Sequence, residues 1–159
     1  MSKKLIILTG GGTAGHVMPH IAILKHLYAQ GWQICYIGSR YGIEKDILSK
    51  YDIPYKSIFT GKLRRYFSLK NFIDVFKVLL GFIQSLFILI AKRPCVVFSK
   101  GGFVAVPVCC AAWALKIPVV THESDYSPGL ANKIISLVAQ KILYSFEESS
   151  KFFPSKKSY

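Results

Sequence analysis

Three observations predict an α/β fold, a Rossmann-like parallel sheet with helices on both faces. The apolar run Leu5 to Leu8 leads directly into a glycine turn, Gly10, Gly11, Gly12, Thr13, Ala14, Gly15, His16. Short apolar runs then alternate along the whole chain with segments of helical periodicity, the pattern of a sheet buried on both faces. With 159 residues and 52% hydrophobic content, the chain can bury a full core within one domain.

In order, the strands are predicted at Leu5 to Leu8, Gln33 to Ile37, Tyr55 to Ile58, Cys95 to Ser99, Val119 to Thr121 and Lys141 to Tyr144. The helices between them are predicted at Val17 to Gln30, Ile43 to Lys50, Leu69 to Lys92, Val106 to Leu115 and Gly129 to Ala139. Gly31 closes the first helix, and Pro107 and Pro128 stand in or just before a first turn, where the missing N–H costs nothing. Phe146, Glu147 and Glu148 through Pro154 read as a last helix. In such a sheet ligands sit at the carboxyl ends of the strands.

A glycine turn between a strand and a helix lets the backbone approach a ligand and aims unpaired N–H groups at an anion. Gly10, Gly12 and Gly15 satisfy the dinucleotide pattern G-x-G-x-x-G. The acid that would hold the ribose hydroxyls of NAD about 20 residues later is missing, because the second strand runs into Gly38, Ser39 and Arg40. Ser39 and Arg40 leave NADP open through its 2′-phosphate. A P-loop fails, since His16 and Val17 stand where Lys and Ser or Thr are required. His16 has two readings, a chemical base at the ligand edge or a cap that only hydrogen-bonds the loop. Two more polar turns fall on the same predicted edge: Lys100, Gly101, Gly102, Phe103 after the fourth strand, and His122 through Tyr126 after the fifth.

Charge is the compositional outlier, with 21 Lys and Arg against 8 Asp and Glu, a net +13. That field suits nucleic acid, an anionic membrane or a phosphorylated substrate. No nucleic-acid-binding module accompanies it, so nucleic acid is not an expected partner. The charge is concentrated in Lys56, Lys62, Arg64, Arg65 and Lys70, which lead into the most apolar helix. In that helix Lys70, Asp74, Lys77, Gly81, Gln84 and Ser85 form a narrow polar stripe, and the rest of the surface is apolar. Lys77 and Lys92 bound an apolar stretch shorter than the about 20 residues a membrane span needs. Two readings are open: the helix is buried between the sheet and a neighbour, or part of it, with the basic loop, lies in the headgroup region of an anionic membrane. Membrane contact would fall to Lys62, Arg64, Arg65, Phe72, Phe76 and Leu79. The start of the chain carries no secretory signal pattern, which predicts a cytosolic protein. Cys35, Cys95, Cys109 and Cys110 lack metal-ligand spacing and read as reduced, small apolar residues, with Cys35 and Cys95 inside strands.

The segments GGGTAGHVMP, FSKGGFVAVP and IPVVTHESDYSPGLANK resemble, in order and spacing, the acceptor-side half of the MurG family. These bacterial transferases add N-acetylglucosamine from UDP-N-acetylglucosamine to lipid I, the undecaprenyl-diphosphate-linked muramyl-pentapeptide, to give lipid II. GIEKDIL and GKLRRYFSLKNF resemble the form found in Gram-positive bacteria. Related family members that glycosylate diacylglycerol share parts of these motifs. The resemblance implies the N-terminal half of a type B glycosyltransferase: metal-independent, inverting, without cofactor, and peripheral on the cytoplasmic face of the membrane. It implies that Gly12, Thr13, Ala14 and Gly15, with Lys100, Gly101, Gly102 and Phe103, cradle the acceptor diphosphate, that His16 is the general base, and that His122, Glu123, Asp125 and Asn132 form the cleft rim. Many members carry Tyr where Phe103 stands and Asn where Asp125 stands. On this reading residues 1–159 are one acceptor-binding, membrane-associating domain. The donor-sugar domain, covalent or on a separate chain, is absent, and the isolated chain is expected to be inactive. A membrane-recruiting, non-catalytic subunit of a split transferase and an NADP-binding domain are the alternatives.

Overall fold

The computed structural model describes residues 4–61, 69–155 and 157, with side chains in 69–73 left undescribed. Six strands form one sheet: β1 Leu5–Thr9, β2 Gln33–Ser39, β3 Tyr55–Ile58, β4 Val96–Ser99, β5 Val119–Glu123 and β6 Lys141–Tyr144. All neighbours are parallel, in the order β3-β2-β1-β4-β5-β6. The helices are α1 Met18–Ala29, α2 Ile43–Leu48, α3 Leu69–Lys92, α4 Ala105–Ala114 and α5 Leu130–Val138. This is the doubly wound arrangement, and the chain reverses its direction of travel across the sheet between β1 and β4. That reversal is the switch point of the sheet, the place where ligands of such folds bind.

The alternation of strand side chains produces two cores. Ile6, Leu8, Ile34 and Tyr36 point to one face and pack with Val17, Leu24 and Leu48 from the α1 and α2 side. Ile7, Cys35, Ile37 and Val97 point to the other and pack with Leu89 of α3, Val108 of α4 and Ile135 of α5. Both faces are therefore sealed by helices, which parallel strands require. Gly31 ends α1 as expected, with a left-handed φ of 77°. Trp32 N–H donates to Leu27 O at 3.0 Å and Gly31 N–H to Tyr28 O at 2.9 Å, the paired bonds that satisfy a helix's last carbonyls.

The sequence expectations differ from the structure in four places. The first helix starts later, at Met18, because a 3₁₀ turn, Ala14–His16, intervenes. Cys95 lies outside β4 and is exposed. The segment after β6 forms a 3₁₀ helix, Glu147–Phe152, rather than an α-helix. Its Ser149 hydroxyl reaches the carbonyls of Asp125 and Tyr126, both at 3.0 Å, and ties it to the loop after β5. The fourth difference concerns α3.

On α3 Asp74, Gly81 and Ser85 of the polar stripe face inward while Lys77 is exposed, and the apolar surface divides: Phe82, Leu86, Ile88 and Leu89 pack on the core and the rest faces out. The buried ridge is Asp74, Gly81, Ser85 and Leu89. The polar members of the stripe serve the backbone of the loop after β3: Gln84 Oε1 accepts from Phe59 N–H at 2.7 Å, and Gly81 abuts the Phe59 carbonyl where any side chain would collide. Val75, Phe76, Leu79, Leu80, Ile83, Phe87 and Ile90 are exposed, Phe87 by 70% and Phe76 by 55%. The stretch Asp74–Lys92 has a mean hydropathy of 2.0 and passes as a membrane span by length and composition. The inner ridge, however, is packed into the domain. Lys62, Arg64, Arg65 and the Phe72 side chain lie outside the described residues.

This division of α3 predicts opposite responses to substitution. Leu89→Ala should destabilise the domain by about 2–5 kcal/mol through the cavity it leaves, whereas Phe87→Ser should change stability by no more than about 0.5 kcal/mol. Chemical denaturation of both variants measures this, and equal losses would put Phe87 in the core.

Candidate functional site

Thr9 at the end of β1 stands opposite Ser99 at the end of β4. The two glycine loops therefore emerge side by side at the switch point, and Lys100 N–H donates to Thr9 O at 3.0 Å. The loops then interlock. Gly102, at φ 79°, sits where a Cβ would strike the Gly11 carbonyl and come to 3.0 Å from His16 Cδ2. Gly12, at φ 89°, lies under the Phe103 ring, and a Cβ there would be 2.5 Å from Cε1. Side chains at either position would force the loops apart, and both backbones are in the region that disfavours L side chains.

Gly12, Thr13, Ala14 and Gly15 are exposed and His16 is half-buried at the end of the 3₁₀ turn. The Lys100 ammonium is turned back into the protein, where it donates to His122 Nδ1 at 2.7 Å and Ser124 Oγ at 3.3 Å. Because an ammonium only donates, Nδ1 accepts, and a neutral His122 carries its proton on Nε2. Burial first, and the Lys100 charge second, push the His122 pKa down. Burial likewise lowers that of Lys100, with Glu123 and Asp125 opposing. Glu123 is buried and accepts from Asn132 Nδ2 at 2.7 Å and from Asp125 N–H at 3.0 Å. Asn132 lies directly against Gly101, leaving no room for a Cβ there. Asp125 itself is exposed. The structure thus gathers His16, both glycine loops and the His122 to Asn132 cluster on one edge of the sheet. Phe76 and Leu79 lie apart from them on the outer face of α3.

Two buried groups carry this edge from beneath, and the sequence offered no sign of either. Glu44, in the first turn of α2, is fully buried and accepts from Ser39 N–H at 2.8 Å, from the Ser39 hydroxyl, and from Gly12 N–H at 3.3 Å. It pins the first glycine loop to the end of β2. It also occupies Ser39, so the phosphate of NADP would meet a carboxylate where it needs a donor. His20 in α1 is the second. Tyr36 donates its one hydroxyl proton to Gly10 O at 2.8 Å, so the 3.3 Å contact between His20 Nδ1 and Tyr36 Oη requires Nδ1 to donate. His20 is then neutral with its lone pair on Nε2, which has no partner among the described residues. Burial, followed by the charges of Lys100, His16 and His122, lowers its pKa to about 3. Lys100 thus brings a positive charge behind the two loops, with the imidazoles of His122 and His20 near it held neutral by burial and by that charge. Burial and position in an otherwise ordinary helix are tertiary facts, so no local pattern marked Glu44 or His20.

Residues 6–144 match the model of the glycosyltransferase family 28 N-terminal domain. The chain belongs to this family. Among the relatives of this family 28 domain, it is 54% identical over 148 residues to the UDP-N-acetylglucosamine--N-acetylmuramyl-(pentapeptide) pyrophosphoryl-undecaprenol N-acetylglucosamine transferase of Legionella pneumophila, covering 93% of this chain and 41% of that protein. It is 55% identical over 157 residues to the transferase of the same name from Clostridium perfringens, covering 99% and 44%. The family 28 domain spans less than half the length of these relatives. Its fold superposes on Acinetobacter baumannii MurG with a TM-score of 0.82 at 29% identity, over 98% of this chain and 44% of that one. The UDP-GlcNAc 2-epimerase of Methanocaldococcus jannaschii, at 15% identity and TM-score 0.68 over 99% and 44%, shares the fold alone.

His20 makes the domain acid-labile. In the unfolded chain it titrates near 6.5, while in the fold it resists protonation down to about 3. Its contribution is therefore complete above pH 6.5 and is lost as pH falls toward 3, at up to about 1.4 kcal/mol per pH unit. Denaturation midpoints measured from pH 7 to pH 4 should fall more steeply for the wild type than for His20→Leu, and parallel profiles would refute the assignment.

Proposed function

We propose that this domain is the acceptor-binding half of a peptidoglycan glycosyltransferase, which transfers N-acetylglucosamine from UDP-N-acetylglucosamine to lipid I to give lipid II. The observation that carries the reading is the pair of interlocked glycine loops at the switch point, backed by the Lys100 ammonium. Exposed backbone in that setting suits a diphosphate, and the relatives' printed name includes a pyrophosphoryl-undecaprenol acceptor. The site residues then take the following roles. The acceptor diphosphate lies along Gly12 to Gly15 and Gly101 to Phe103, with Lys100 supplying positive charge from behind. His16 accepts the proton of the sugar 4-hydroxyl as that oxygen bonds to the donor's anomeric carbon. UDP leaves with the electrons of the broken bond, and the configuration inverts. The donor site belongs to a second domain, in keeping with the coverage of relatives that are more than twice as long.

The outer face of α3 supports a peripheral position on the cytoplasmic membrane surface. A face carrying Leu79, Phe76 and Phe87 on a helix that a basic segment precedes in sequence suits the interface of an anionic bilayer. An enzyme whose acceptor is anchored in that bilayer gains from lying on it.

Titration of the 159-residue chain with a short-chain polyprenyl-diphosphate acceptor analogue should show binding, and the same chain should give no turnover with UDP-N-acetylglucosamine. When the donor half is supplied, His16→Ala should lower kcat by about 10²-fold or more with the fold unchanged. Turnover by the chain alone, or a near-normal kcat with only lost thermal stability in His16→Ala, would overturn the respective assignments.

Sedimentation with vesicles tests the membrane role. Binding should favour anionic over neutral lipid and weaken with salt, since each basic residue near the surface contributes about 1 kcal/mol that ions screen. The combined change Lys62→Glu, Arg64→Glu, Arg65→Glu should weaken it further. Indifference to lipid charge or to the triple change would reject the role.

A further inference from the structure

A cavity of about 630 Å³ opens beside the first glycine loop, bounded by the ends of β2 and β3 and by the first described turn of α3. Gly12 and Phe103 form one of its walls, so the cavity borders the interlocked loops. Its size is that of a site for a small molecule or a few peptide residues, larger than a lone anion fills. Its walls are mostly apolar and aromatic, and its charged groups are Arg40, Lys77 and Asp74. Lys77 and Asp74 pair with each other at 3.8 Å. Arg40 is different. Among the described residues no carboxylate lies within ion-pair distance of it, and its guanidinium sits over the rings of Phe59 and Tyr41, 5.7 and 5.9 Å from their centroids.

Arg40 is exposed at the mouth of the cavity beside Tyr41, itself 90% exposed, and a guanidinium near aromatic rings leaves its N–H edges to a ligand. The shape complementary to those edges is a carboxylate, taken through two parallel hydrogen bonds. The buried Glu44 carboxylate lies just behind Gly12, Ser39 and Gly42, all of which line the cavity.

We infer that this cavity is a subsite for a carboxylate on the peptide portion of the acceptor, with Arg40 as the residue that binds it. The inference rests on the reading of the domain as acceptor-binding. It adds a recognition element separate from the loops: the loops hold the diphosphate, and Arg40 distinguishes an acceptor that carries its peptide acid from one that does not. Arg40 is a specificity residue and takes no part in proton transfer.

Calorimetric titration of the 159-residue chain with three short-chain polyprenyl-diphospho-muramyl analogues tests it. The first bears a peptide with free carboxylates, the second the same peptide with every carboxylate converted to amide, and the third no peptide. The wild type should bind the first at least about tenfold more tightly than the other two, the scale of a charge-assisted pair. Arg40→Gln should bring the first down to the level of the amide and leave the third unchanged. Arg40→Lys should restore part of the difference, because it keeps the charge and loses the fork. Equal binding of all three by the wild type, or an equal loss for the first and third in Arg40→Gln, would overturn the inference while leaving the acceptor-binding reading standing. Failure of all three to bind would remove both.

Discussion

The contact between two side-chain-free loops at the switch point is the constraint on which the rest of this domain depends. Parallel strands β1 and β4 end at the same level, so the loops after them must share one small volume. They do so only because Gly12 and Gly102 present backbone where any other residue presents bulk. The same absence of side chains that permits the packing leaves the backbone of Gly12 to Gly15 exposed at the strand ends, while Gly12 and Gly101 N–H are held by Glu44 and Ser99.

What lies beneath the loops keeps them in register. Glu44 reaches from α2 to hold Gly12 and Ser39, and Tyr36 reaches from β2 to hold Gly10. Each is a buried polar group with defined partners, and the cost of leaving such groups unpaired makes the arrangement specific. On the opposite flank Glu123 and Asn132 do the same for the loop after β5, with Asn132 seated against Gly101. The site is therefore built from backbone on the surface and hydrogen-bonded side chains in the interior. Lys100 and His122 belong to both layers, since their mutual bond orients the imidazole and keeps a positive charge close to the loops.

The helix α3 follows a different logic from its neighbours. An amphipathic helix on a sheet normally buries its apolar side. Here the loop after β3 presents unpaired backbone groups to the helix, and Gln84 and Gly81 meet them. With that loop satisfied, part of the polar stripe faces inward, Phe82, Leu86, Ile88 and Leu89 pack on the core, and the rest of the apolar arc faces out. Patches of exposed apolar surface on this scale mark interaction surfaces in soluble domains, and in sequence this helix follows the most basic stretch of the chain.

Residue periodicity and punctuation were enough to place every strand and helix of the sheet, because a doubly buried parallel sheet demands short apolar strands and glycine or proline breaks that can be read locally. The glycine turns and His16 were legible for the same reason: a turn with no side chains is a sequence pattern as well as a shape. Glu44 and His20 were not legible, since a Glu in a short helix and a His in a long one look like surface residues until another element covers them. The orientation of α3 also escaped the sequence, which showed a polar stripe and an apolar arc without saying which would face the core. That choice was made by the unpaired backbone of a loop from elsewhere in the chain, and the cavity at Arg40 arose in the same way, from three elements meeting. Local chemistry determined the elements and the backbone of the site, while the burial of charge, the facing of α3 and the shape of the cavity were decided only when distant segments had to satisfy one another's polar groups.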